Sequence, residues 1–147
     1  MPRSIHTLTV PSSTRYLEDV REFVAQHASE ASFGPDVVEQ LKMAVDECCT
    51  NVIEHAYLGE PERPIDVAVI VETDRLAVRI RDEGRAFDPT SYHEPDLMQF
   101  ARNRKSGGFG VHIMRRLMDE VLFRTHGRQN ECYMVKYRQQ HSPEAAS

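Results

Sequence analysis

The chain is poor in the features that mark several large classes of protein. It holds three cysteines, two adjacent at Cys48 and Cys49 and the third far off at Cys132. A full set of pairs cannot form, and no CxxC spacing offers a zinc site. Small buried thiols in a reducing compartment are the expectation. The seven histidines are scattered without an HExxH or similar spacing, which argues against a metal held by protein groups alone. No apolar run approaches the length of a bilayer span, and the N-terminus (MPRSIHTLTV) lacks the long apolar stretch and small-residue cleavage site of a signal peptide. A soluble, cytoplasmic protein without membrane contact is expected. No window is dominated by Lys or Arg, and a net charge of -5 leaves no footprint for direct nucleic-acid binding. A Walker-type GxxxxGK[ST] loop is missing as well.

What is present suits one globular domain. A length of 147 residues, 40% hydrophobic and 28% charged, is enough to close a single core. That core is expected to span residues 5–138, followed by a loose tail at 139–147. Residues 4–10 partly alternate and read as an edge strand stopped by Pro11. From Ser13 to His27 the period changes, with Leu17, Val20, Phe23 and Val24 on one face of an amphipathic helix. Gly34, Pro35 and Asp36 then announce the longest helical pattern, residues 36–57, in which Val38, Leu41, Val45, Cys48 and Val52 recur. IDVAVIVE and RLAVRIRD, separated by Thr73-Asp74, read as a hairpin. A long polar connection covers Glu83 to Ser106. A glycine turn then opens a helix over Val111–Met118, and VLFRT and ECYMVKY close the chain as strands joined by HGRQN. The sum is an α+β fold, a two-layer sandwich of a mostly antiparallel mixed sheet with helices on one face.

Three segments carry groups suited to chemistry. In DECCTNVIEHAY (residues 46–57), Glu47, Asn51 and His55 fall a turn apart on a stripe bordering the apolar arc. A carboxylate and an amide so placed can serve a reacting hydroxyl and a divalent cation. A polar flank facing solvent would show the same spacing. Asp82 continues the inward phase of its strand and is followed by Glu83-Gly84. A carboxylate pointing inward needs donors to offset lost hydration, and Gly84 allows a flat ligand or a tight backbone turn to come close. An Asx turn with a turn glycine is the plainer reading. Lys105-Ser106-Gly107-Gly108-Phe109-Gly110 stands at a helix entrance, where backbone N–H groups can meet an anion. A hinge would use the same residues.

Taken in order, Glu-x-x-x-Asn on a helix, Asp-x-Gly after a strand, a long loop and a glycine turn into a helix resemble the ATP-binding domain shared by gyrase, histidine kinases and MutL. Within that superfamily, DECCTNVIEHAY, DEGRAFDP and GGFGVHIMRRLMDEV are similar to the stand-alone anti-sigma-factor serine protein kinases. The resemblance implies ATP and Mg2+ as cofactors, Glu47 as the general base and Asn51 as the magnesium ligand. Asp82 would accept a hydrogen bond from the adenine amino group, with Gly84 giving the base room. Gly108 and Gly110 would supply donors to the phosphates, residues 90–106 the lid, and Arg104 and Lys105 its charges. Glu54 and His55 match the family text as supports of the helix. Ala86 and Ser106 replace glycines common in relatives, which points to a tighter pocket and lid. The implied partners are a small antagonist protein, phosphorylated on serine, and a sigma factor or similar target. Residues 15–28 are candidates for the partner surface, and residues 4–10 for a homodimer contact. A nucleotide-switched binding module without turnover and an ATPase unit of a larger complex are the alternatives.

Overall fold

The computed structural model describes residues 3–86 and 110–139 of the chain. Within these residues five strands form one sheet in the order β1-β2-β3-β5-β4. They are β1 (Ser4–Pro11), β2 (Pro64–Val71), β3 (Arg75–Asp82), β4 (Glu120–His126) and β5 (Gln129–Tyr137). Among the described residues three α-helices accompany them, α1 (Leu17–Glu30), α2 (Pro35–Asn51) and α3 (Gly110–Leu117). The expected α+β architecture is realised with one correction: every strand pairing among the described residues is antiparallel, not mixed. Two helices joined by a short loop separate β1 from β2, so the chain re-enters the sheet in the opposite sense.

Alternation sets the faces of the sheet. Leu76, Val78 and Ile80 on β3 pack with Ile65, Val67 and Val69 on β2 and with Cys132 and Met134 on β5. Leu41, Val45 and Cys48 of α2 and Val20 and Val24 of α1 complete the same core. Pro35 opens α2 just after Gly34, where its missing N–H has no partner to lose. An Arg21–Asp46 ion pair of 2.5 Å ties α1 to α2 at the surface. Cys48, Cys49 and Cys132 are buried free thiols, as expected.

Two of the differences from the boundaries read in the sequence shape the site. The helical pattern over 36–57 is α2 only as far as Asn51, after which Val52–Ala56 widens into a π-turn. The Tyr57 amide donates to the Val52 carbonyl at 2.9 Å. The wider turn lets Val52, Ile53 and Tyr57 all point inward, a spacing that a uniform α-helix does not provide. HGRQN is not a five-residue connection either. His126 pairs with Gln129, leaving a two-residue turn and placing Asn130 inside β5 opposite Asp82.

Leu41 is fully buried, whereas Met43 on the same helix is 54% exposed. Leu41→Ala is therefore expected to lower unfolding free energy by about 3 kcal/mol. Met43→Ala should change it by less than about 0.5 kcal/mol, and urea denaturation of the two variants checks the contrast.

Candidate functional site

Asp82 ends β3 on the inward phase and is only 7% exposed. Its Oδ1 accepts the Gly84 amide at 2.8 Å and the Asn130 side-chain amide at 2.8 Å. The expected Asx turn is thus present, with a second donor from another strand added to it. The Asn130 Nδ2 group also donates to the carbonyls of Gly84 at 3.0 Å and Arg85 at 3.2 Å. The Thr125 hydroxyl donates to the Asn130 Oδ1 at 3.3 Å, which fixes which end of the amide faces Asp82. Burial pushes the Asp82 carboxyl above its ordinary value, and the bonds from Asn130 and Gly84 pull part of the way back. Both of those bonds fall on Oδ1. Among the described residues none donates to Oδ2, so this carboxylate retains acceptor capacity.

Gly84 is needed for a closer approach than its expected role required. A Cβ at this position would lie 2.4 Å from the Ala56 carbonyl oxygen, which is backbone and cannot swing away. The Arg85 amide donates to that same oxygen at 2.8 Å. The glycine therefore lets the segment after β3 pack on the π-turn after α2. Tyr57 reinforces the contact: its hydroxyl donates to the Pro64 carbonyl at 2.5 Å and accepts the Glu83 amide at 2.9 Å. Burial raises the Tyr57 phenol, so the donor proton stays in place at neutral pH.

Asn51 closes α2, and its side chain meets the start of α3. A Cβ on Gly110 would fall 2.7 Å from the Asn51 Nδ2 and 3.0 Å from its Oδ1. The first and third sequence segments thus converge at this point. Glu47 lies one turn earlier on α2 and is half-buried. Burial raises its carboxyl above the ordinary value, with the Asp46 and Glu54 charges adding to the effect. Glu54 and His55 are exposed on the π-turn, 3.9 Å apart. Among the described residues no three His, Cys, Asp or Glu side chains form a metal cluster. Magnesium, a hard ion, takes oxygen ligands and commonly uses one or two protein groups beside substrate phosphates. The Asn51 amide oxygen is of the type that such an ion accepts.

Glu47, Asn51, Asp82, Gly84 and Gly110 are accordingly placed on α2, the end of β3 and the start of α3. Arg104, Lys105, Gly108 and the expected lid at 90–106 lie outside the described residues. Asn130 and Tyr57 are the polar groups that sequence reasoning left without a role. Asn130 shares the inward alternation of Cys132 and Met134, a signal hidden by assigning it to a turn. Tyr57 ends an apolar helical pattern, and a buried phenol there calls for a hydroxyl partner.

Comparison with known proteins gives the family and the fold. The family of histidine kinase-like ATPase domains matches residues 10–136. A protein called serine-protein kinase RsbW from Listeria monocytogenes is 34% identical over 78% of this chain and 76% of its own length. The protein of that name from Bacillus subtilis is 33% identical over 81% of this chain and 77% of its own. Among solved structures, the SiaB–SiaC complex from Pseudomonas aeruginosa aligns with a TM-score of 0.65 at 15% identity, covering 88% of both chains. The RsbU and RsbW domains of a Mycobacterium tuberculosis protein align with a TM-score of 0.65 at 13% identity, over 90% of this chain and 31% of that one. Both structures speak for the fold.

The raised Asp82 carboxyl has a measurable consequence. The folded chain holds that proton more tightly than the unfolded chain, so this group's contribution is most favourable below the ordinary carboxylate value and is lost as pH rises through the raised one. Asp82→Asn keeps an acceptor oxygen for Gly84 and Asn130 but has no charge to bury. Thermal melts from pH 3 to pH 8 should show the variant gaining stability relative to the parent chain as pH rises through that window, with the gain then constant.

Proposed function

The chain belongs to the histidine kinase-like ATPase domain family, alongside the RsbW serine-protein kinases, and from that premise we propose that it transfers the γ-phosphoryl group of ATP to a serine of a small antagonist protein. The observation that carries the reading is the meeting of three separated segments: Asn51 against Gly110, and the π-turn that follows Asn51 against Gly84 beside Asp82. One end of this site offers a buried acceptor, Asp82, for the adenine amino group. The other offers the Asn51 amide and the entrance of α3, where phosphates and their magnesium would be held. Bound there, the ion would supply charge neutralisation on the phosphates.

Phosphoryl transfer asks a protein mainly to position groups and stabilise charge. Glu47 accepts the proton of the acceptor serine as its oxygen forms the bond to phosphorus. The bond to the bridging oxygen breaks, and ADP leaves with that oxygen. A carboxylate whose pKa is raised is a stronger base. Burial supplies that shift, and the neighbouring Asp46 and Glu54 charges add to it. Gly108 and Lys105 are assigned to the phosphates, and residues 90–106 to the lid, on the family pattern. The unphosphorylated antagonist and a sigma factor or similar target compete for the same chain. A cytoplasmic setting and a homodimer built on β1 complete the proposal.

The roles separate by kinetics. Glu47→Ala is expected to lower serine phosphorylation by at least about a hundredfold, the scale of a lost general base, while leaving ATP affinity nearly unchanged in calorimetry. Equal transfer by that variant would remove Glu47 from the chemistry. In the parent chain, activity should rise with pH through the raised carboxyl value and then level off. Glu54→Gln, which removes one of the charges holding the Glu47 carboxyl up, should move that rise to lower pH.

A further inference from the structure

Among the described residues, Tyr57 links the π-turn after Asn51 to the segment that follows Asp82. Tyr57 is 2% exposed, with the Arg63 guanidinium 4.6 Å from its ring centroid. Its hydroxyl bridges the Pro64 carbonyl at the start of β2 and the Glu83 amide just after Asp82. Two residues on, the Arg85 amide is held by the Ala56 carbonyl of the π-turn. The segment Glu83-Gly84-Arg85 is thus fixed at its first and third amides by Tyr57 and Ala56, at the end of the π-turn. Asn130 secures it from the other side through the Gly84 and Arg85 carbonyls.

We propose that Tyr57 is a positioning residue for adenine selection: its hydroxyl sets the place of the Asp82–Arg85 segment relative to the phosphate end, so that Asp82 meets the 6-amino group while Asn51 serves the phosphates. The inference rests on the reading of Asp82 as the acceptor for that amino group. Tyr57 itself touches neither base nor phosphate in this account. Removing its hydroxyl frees the Glu83 amide and lets the segment shift, which weakens only the contact that depends on the position of Asp82. The phosphate contacts at Asn51 and Gly110 are made on α2 and α3 and keep their geometry. A residue that merely supports the fold would not discriminate between nucleotides in this way.

Calorimetry in the presence of magnesium, with ATP and with purine riboside triphosphate, which lacks the 6-amino group, tests this on the full chain. The parent chain should prefer ATP. Tyr57→Phe should lose about tenfold in ATP affinity, the scale of one hydrogen bond, and keep its affinity for the analogue, so that the preference collapses. Preference for ATP that survives the substitution, or equal losses for both nucleotides, would overturn the role of Tyr57 while leaving the reading of Asp82 intact. A parent chain that cannot tell the two nucleotides apart would overturn both. A second measurement needs no variant: the Glu83 amide of the nucleotide-free parent should be protected from hydrogen exchange. Exchange at the rate of a free amide would overturn the bridge.

Discussion

The site is organised around a carboxylate taken out of water. Asp82 lies at the end of a central strand, where alternation carries it into the same layer as Leu76, Val78 and Ile80. A charge in that position is tolerable only if donors are brought to it. The Asn130 amide and the Gly84 N–H are those donors. Each in turn imposes a constraint elsewhere. Asn130 requires β5 to pair with β3 in the observed register, and Thr125 on β4 to fix its amide orientation. Gly84 lets the backbone turn directly over Asp82 and pack on the Ala56 carbonyl, where a Cβ would clash.

The π-turn therefore links packing to chemistry. By widening the helix for a few residues it brings the Ala56 carbonyl and the Tyr57 hydroxyl to the Asp82 segment, while Val52 and Ile53 stay in the core. Asn51 stands immediately before it and meets Gly110. One continuous piece of backbone, residues 51–57, thus contacts both other segments that the resemblance groups together. Glu47 sits outside this clasp, less buried than Asp82 and close enough to Asp46 and Glu54 to feel their charge. The two carboxyls are raised in common by burial, but their settings differ: one is held by fixed donors suited to recognition, the other stands among like charges that strengthen a base.

Much of this was legible in the sequence because it follows from period alone. The phase of RLAVRIRD places Asp82 inward, and the three- and four-residue recurrence in α2 places Glu47 and Asn51 along the margin of the buried arc. The glycines at 84 and 110 were visible as positions without a side chain, although the atoms that exclude one, Ala56 and Asn51, come from segments distant in the chain. Asn130 was obscured by local composition. His-Gly-Arg-Gln-Asn is rich in turn formers, and only the pairing of β5 with β3 overrides that preference. The π-turn left no trace in the hydrophobic pattern, since Val52 fits an α-helical period and the extra residue shows itself only in where Tyr57 must point.

The central claim is that separated segments act on one nucleotide, and amide chemical shifts of the uniformly labelled chain test it most directly. Addition of ATP with magnesium should shift the backbone amides of Asn51, Gly84 and Gly110 together, with the same dependence on nucleotide concentration. Shifts confined to one of the three, or none at any concentration, would contradict the account.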